Sequence, residues 1–209
     1  MSSRLHIIWL VILCFFALII SSYALGYYWI LPSEHPQIIK YNRMIPWLVY
    51  GHFAFGGLAL VAGCFQLWTK RPSTIHSFLG YSYCCSVLIS AICVFYLAYM
   101  AGMNWATLGF FCLDLFWLGS TGYAVSRAIK GDIETHRRWM LRSLACTCAA
   151  ITLRLALPGL MLFLSFETSY IIVGWLSWIG NLILLEIYFY ITHSKSIAKA
   201  HSTKGILTL

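Results

Sequence analysis

Apolar positions along the chain gather into six long runs, roughly Leu5–Leu31, Trp47–Thr69, Ile75–Met100, Trp105–Ser126, Glu134–Phe163 and Tyr170–Ile191. A bilayer core of about 30 Å needs about 20 apolar residues at about 1.5 Å rise each, so every run is long enough to cross one as a helix. The breaks between them, Pro32–Pro46, Lys70–Ser73, Gly102–Asn104, Ala128–Asp132 and Ser165–Thr168, are short and carry proline, glycine or charge. Breaks of that kind connect neighbours in a bundle. The pattern predicts an all-α membrane protein, six transmembrane helices forming a single integral membrane domain over residues 1–209. The first run passes Ser22, Tyr23 and Ala24 and continues through Tyr27, Tyr28, Trp29 and Ile30, which favours an uncleaved helix over a signal peptide.

Composition agrees and narrows the class. Hydrophobic residues make up 61% of the chain and charged ones 10%, where a soluble domain carries about a quarter charged residues. With 13 Phe, 9 Trp and 13 Tyr to bury, a disordered chain, a coiled coil and a secreted disulfide scaffold are excluded. Charge then sets an orientation. Arg4, Lys70, Arg71, Arg127, Lys130, Arg137, Arg138, Arg142, Lys195, Lys199 and Lys204 fall on one face; Lys40 and Arg43 lie on the other, and Arg154 lies within a span. The positive-inside rule assigns the basic face and both termini to the cytoplasm. The net charge of +8 therefore reads as topology and as contact with anionic lipid headgroups, not as a nucleic-acid footprint. With no organelle signal, a bacterial inner membrane is the expectation, and the oligomeric state is unassigned. All eight cysteines lie in the spans, where they read as small packing residues rather than a disulfide framework.

Ionisable groups in a spanning helix cost on the order of 3 kcal/mol at the centre, so each is a functional candidate. Counted by helical rise from the outer side, His52 lies about 8 Å inside span two, Asp114 about 13 Å inside span four and Arg154 about 14 Å inside span five. Their depths allow an intramembrane polar site in which Asp114 and Arg154 pair, with His52 above them; a buried ion pair that only fixes helix register is the alternative. Pro158 removes the helical donor to the Arg154 carbonyl. Span five carries His136, Ser143, Thr147 and Arg154 on one helical face. Span two carries His52, Gly56, Ala59, Gly63 and Gln66 on one face, small in the middle and polar at both ends, which suits close helix packing or a flat ligand.

A second cluster lies on the basic face. Ser73 reads as the N-cap of span three, just before His76, and Asp132 opens span five just before His136. Gln66, Arg71, Arg137 and Arg138 are the cofactor-binding candidates beside these histidines, with Arg142 near. Two histidines and several arginines suit bis-histidine ligation of a haem whose propionates meet the arginines, and equally suit a phosphate or headgroup at helix N-termini. Two interfacial histidines in a basic rim are the bland alternative. Glu186 and His193, one heptad apart in span six, point toward the same cluster. No Walker loop, dinucleotide fingerprint, HExxH or nucleophile elbow occurs, and no catalytic residue is assigned.

The run Gly51-His52, Gly57, Gly63-x-x-Gln66, Arg71-Pro72, His76, Gly80-x-x-Tyr83, then Gly131-Asp132, His136-Arg137-Arg138-Trp139-Met140, Arg142-Ser143 and Thr152-x-Arg154 resembles an uncharacterised bacterial multi-pass membrane family. That family is catalogued as domain of unknown function twenty-three-zero-six. The resemblance spans about residues 47–155 and implies that His52, Gln66, Arg71, His76, His136, Arg137, Arg138 and Arg154 are signature positions. It implies no activity. A fainter similarity, to the b-type cytochromes of the ascorbate-reducible, ferric-reductase-like class, rests on histidines near helix starts after an Arg-Pro loop. Those proteins place histidine pairs at two depths, whereas here span four has no histidine and His52 has only His35 near its depth. What this similarity implies is one haem b between His76 and His136, its iron the metal they would hold. Three functions follow: electron transfer with a haem or quinone and a redox partner, binding or transport of a small anion or lipid headgroup, and non-catalytic membrane assembly.

Overall fold

The computed structural model describes the backbone of residues 3–30, 45–102 and 104–206 and the side chains of 7–26, 45–102 and 104–194. The readings for Arg4, His35, Lys40, Arg43, Lys195, Lys199 and Lys204 concern side chains outside the described residues. Among the described residues the chain is helical throughout: α1 Ser3–Ile30, α2 Pro46–Gln66, α3 Thr74–Ala101, α4 Trp105–Ile129, α5 Ile133–Thr147, α6 Ala149–Met161 and α7 Phe166–Ile206. Six segments within them, Ile7–Gly26, Pro46–Gln66, Thr74–Ala101, Trp105–Ile129, Ile133–Met161 and Phe166–Ser194, are long and apolar enough to cross a membrane. Large side chains such as Phe78, Tyr81, Ile92, Leu155 and Leu184 point outward, as they do when lipid is the solvent.

The fifth apolar run is one span but two helices. At its middle the Thr147 hydroxyl donates to the Ser143 carbonyl at 3.0 Å and the Thr152 hydroxyl to the Cys148 carbonyl at 3.3 Å. The Ile151 amide also reaches the Cys148 carbonyl, three residues back, at 2.9 Å. Hydroxyl back-bonding and a tightened turn together bend a helix without a proline. The last helix runs past the end predicted at Ile191 to Ile206.

Helix ends follow the sequence closely on the basic face. The Ser73 hydroxyl accepts from the His76 amide at 3.1 Å, and Asp132 accepts from the Thr135 amide at 3.1 Å. Gly131, at φ 77°, ends α4. There the Asp132 amide bonds the Arg127 carbonyl at 3.0 Å and the Gly131 amide bonds the Ala128 carbonyl at 3.0 Å. That six-to-one and five-to-two pairing needs the left-handed residue glycine supplies. A three-residue connection, Lys130 to Asp132, thus reverses the chain and starts α5 beside α4.

Helices α2, α3, α4 and α5 pack as a ring in that order, with α2 closing on α5, so α3 and α5 face each other across a diagonal without close backbone approach. Helix α1 packs on α2, where the Ser21 hydroxyl donates to the Gly57 carbonyl at 2.9 Å. Helix α7 covers α4, α5 and α6 and approaches α4 closely where Gly109 meets Gly174: a Cβ on Gly109 would sit 2.9 Å from the Gly174 carbonyl oxygen. The small face of α2 seats against α3. A Cβ on Gly63 would lie 2.8 Å from a Leu144 methyl and 2.9 Å from the Tyr83 ring.

Candidate functional site

At the basic end of the ring, the wide diagonal between α3 and α5 leaves a cavity of about 470 Å³, within the range of cofactor and ligand sites. Gln66, Arg71, His76, Tyr83, His136 and Arg137 supply its polar lining. Leu67, Ile133, Met140, Leu141 and Leu144 supply the apolar wall. The lining joins two guanidiniums and two imidazoles to a largely apolar wall, so its chemistry is that of a site for an amphipathic anion.

Each histidine is locked in orientation by its neighbours. His136 Nδ1 lies 2.9 Å from the Ala124 carbonyl oxygen. A carbonyl only accepts, so Nδ1 carries the hydrogen and the neutral ring keeps its lone pair at Nε2. His76 is held at three points. Its amide donates to Ser73, its carbonyl accepts from Gln66 Nε2 at 3.2 Å, and its Nδ1 lies 3.0 Å from Thr69 Oγ1. The Thr69 hydroxyl donates to the Gln66 carbonyl at 2.8 Å. Its oxygen is therefore the acceptor for His76 Nδ1–H, which again leaves the lone pair at Nε2. The Gln66 amide nitrogen sits 3.5 Å from that Nε2. Gly80 makes room for the glutamine, since a Cβ there would stand 3.1 Å from Gln66 Nε2.

Carboxylates neutralise the surrounding arginines selectively. Arg127 pairs with Asp132 at 3.2 Å, Arg138 with Glu134 at 3.4 Å and Arg142 with Glu186 at 2.7 Å. Among the described residues Arg71 and Arg137, the two that line the cavity, have no carboxylate partner. Burial, and after it the Arg137 charge, lowers the pKa of Arg71, so an anion between the two guanidiniums would relieve a repulsion already present. Arg138 is directed away, over the Phe189 ring, and Glu186 is held by both Arg142 nitrogens, Nε and Nη2, outside the cavity. His193 is exposed on α7 and forms no part of the lining.

The cavity ends on a buried polar network. Tyr83, fully buried, places its hydroxyl 2.6 Å from Ser143 Oγ and 2.7 Å from Thr147 Oγ1. The Trp117 indole N–H reaches Thr147 Oγ1 at 2.9 Å and Tyr83 Oη at 3.2 Å. The hydroxyls of Thr147 and Thr121 are committed as donors, to the Ser143 and Trp117 carbonyls at 3.0 and 2.7 Å. Ser143 therefore donates to Thr121 at 2.6 Å and Tyr83 donates to Ser143 or Thr147, leaving every member satisfied. Ser143 and Thr147 belong to the polar stripe of span five, and the turn at Cys148 separates them from Arg154. Trp117 and Thr121 went unnoticed in the sequence. Their signal is the spacing Thr107, Asp114, Trp117, Thr121 on one face of α4, all buried.

In the other half of the bundle two of the three intramembrane candidates, His52 and Arg154, come within electrostatic reach of each other, and Asp114 pairs with neither. His52 Nδ1 lies 2.9 Å from Ser90 Oγ on α3, and the Arg154 charge reaches His52. Arg154 sits over the rings of Tyr23 at 5.6 Å and Phe53 at 5.7 Å and donates to the Ala150 carbonyl at 3.0 Å. Asp114, 3% exposed, forms no ion pair among the described residues, and its Oδ2 has no hydrogen-bond partner. The expected Asp114–Arg154 pair is not formed. Arg154 lies beyond the helix break at Cys148, over rings of α1 and α2, while Asp114 lies near Cys93 of α3. A rise-per-residue count fixes depth but not azimuth. No group of three or more metal-ligating His, Cys, Asp or Glu occurs among the described residues.

The family described as Predicted membrane protein (DUF2306) matches residues 49–189. The match covers well over half of the chain, and the chain belongs to that family. It takes in most of α2, all of α3 to α6 and more than half of α7, including the whole cavity lining. No curated protein and no solved structure matches the chain.

Proposed function

We propose that this integral membrane protein binds an amphipathic anion in its basic-face cavity, that the anion is haem b, and that the protein carries electrons at that face. The carrying observation is the pair of imidazoles tied at Nδ1 on the two helices that face each other across the ring, the His76 Nε2 lone pair meeting the Gln66 amide at the long distance of 3.5 Å. Two arginines without carboxylates stand beside them. The donor set fits haem b: neutral imidazole is an iron ligand, a fixed Nδ1–H orients it, unpaired guanidiniums match propionates, and leucines and methionine match the porphyrin. When bound, haem supplies a one-electron ferric–ferrous couple. In this reading His76 and His136 are the ligands, Arg71 and Arg137 hold the carboxylates, Gln66 positions His76, and Tyr83 with Leu144 closes the site from the membrane interior.

The positive-inside rule makes this face cytoplasmic, and a bacterial inner membrane remains the location we infer. One further reading has its own support: Arg71 and Arg137 without the histidines suffice for a phosphate, so the cavity could hold a lipid headgroup. An absorption spectrum of protein purified from haem-replete cells separates the two. A Soret band that shifts on reduction and is lost in His76→Ala and in His136→Ala supports haem. A colourless protein with tightly bound phospholipid supports the headgroup and removes haem.

A further inference from the structure

Asp114 stands nine residues into α4, about 13 Å from its outer end and so deep in the span. It is 3% exposed, and Oδ2 is buried with no hydrogen-bond partner. Among the described residues no Lys, Arg or His lies within ion-pairing distance. Among the described residues on the helices packed against α4, Cys93 of α3 lies within its electrostatic reach, and it supplies no positive charge. A carboxylate isolated in this way in a bilayer would cost several kcal/mol, more than a helix of this kind tolerates for packing alone. A protonated carboxyl in the same place costs far less and is a hydrogen-bond donor.

From this geometry we propose that Asp114 is an intramembrane proton-binding site, holding its proton at neutral pH and exchanging it with solvent. Its surroundings suit that role. On one side α3 brings Cys93 within its electrostatic reach. One turn further along α4 lies Trp117, a member of the hydroxyl network that borders the cavity. The site depends on none of the cavity residues, so it stands whether or not that cavity holds haem.

The test uses the full chain in lipid nanodiscs and a membrane-permeant carbodiimide, which adds to a protonated carboxyl and leaves an acylurea whose position mass spectrometry reads. We expect modification of Asp114 at neutral pH that falls as pH rises, and none there in Asp114→Asn. Infrared spectra of the same samples should show a protonated-carboxyl carbonyl band that shifts in heavy water and is missing in Asp114→Asn. No carbodiimide adduct together with no such band would overturn the proposal. So would a band that never shifts in heavy water, since the proton would then be locked in place.

Discussion

Tyr83 and Thr147 share one client, the Trp117 indole N–H, and that sharing gives a measurable prediction. In Tyr83→Phe, Ser143 keeps Thr121 at 2.6 Å and Trp117 keeps Thr147 at 2.9 Å. No donor is orphaned, so the cost is that of one ordinary hydrogen bond, about 1 kcal/mol. In Thr147→Val, Trp117 turns to Tyr83 at 3.2 Å and Tyr83 donates to Ser143 at 2.6 Å, for a similar cost of about 1 kcal/mol. In the double variant the indole N–H has no acceptor while Trp117 is 6% exposed. Leaving a buried donor unpaired adds about 1–3 kcal/mol, so the pair should cost about 3–5 kcal/mol rather than the additive value of about 2. Unfolding in mixed detergent micelles, followed by tryptophan fluorescence on all four proteins, measures the coupling. Additivity to within about 0.5 kcal/mol would refute a shared acceptor for the indole.

Gly63→Ala should destabilise by about 1–3 kcal/mol, because its Cβ would fall 2.8 Å from Leu144 and 2.9 Å from Tyr83. Gly56→Ala on the same face, 3.5 Å from Ser90 Oγ, should leave the melting temperature nearly unchanged; equal losses would contradict this packing. The Asp132 carboxyl is held below its usual pKa by the Thr135 amide and hydroxyl, then by Arg127. Its contribution is therefore full above the unfolded-state value and lost as pH falls through the lower folded one. Wild type should lose stability relative to Asp132→Asn below about pH 4, and parallel pH profiles would count against it. Arg71→Gln and Arg137→Gln should each weaken ligand retention on purification by about tenfold without lowering the melting temperature of the ligand-free protein. A fall in that melting temperature would instead make the arginines structural.

Much of the fold was legible because each span obeys one constraint, an apolar run of bilayer length between polar breaks. Ser73 and Asp132 were readable as caps because capping is local, and the small face of α2 because its partner had to be another helix. The helix break at Cys148 was hidden, since it depends on the hydroxyls of Thr147 and Thr152 choosing the backbone. The gathering of Gln66, Arg71, His76, His136 and Arg137 was readable from depth alone, as all lie at helix ends on one face. What fixes the histidines was not. Thr69 and the Ala124 carbonyl carry no sequence signal for that role, and which arginines keep free charge emerges only once Asp132, Glu134 and Glu186 have chosen partners. Helical rise set Asp114 and Arg154 at one depth but carries no azimuth, and the pair it suggested is not formed.

Native mass spectrometry of the protein released from its own membrane tests the central claim most directly. The account predicts one added mass equal to haem b per chain, kept in Arg138→Ala and lost in His136→Ala. A bare chain mass, or phospholipid alone bound equally by wild type and His136→Ala, would contradict it.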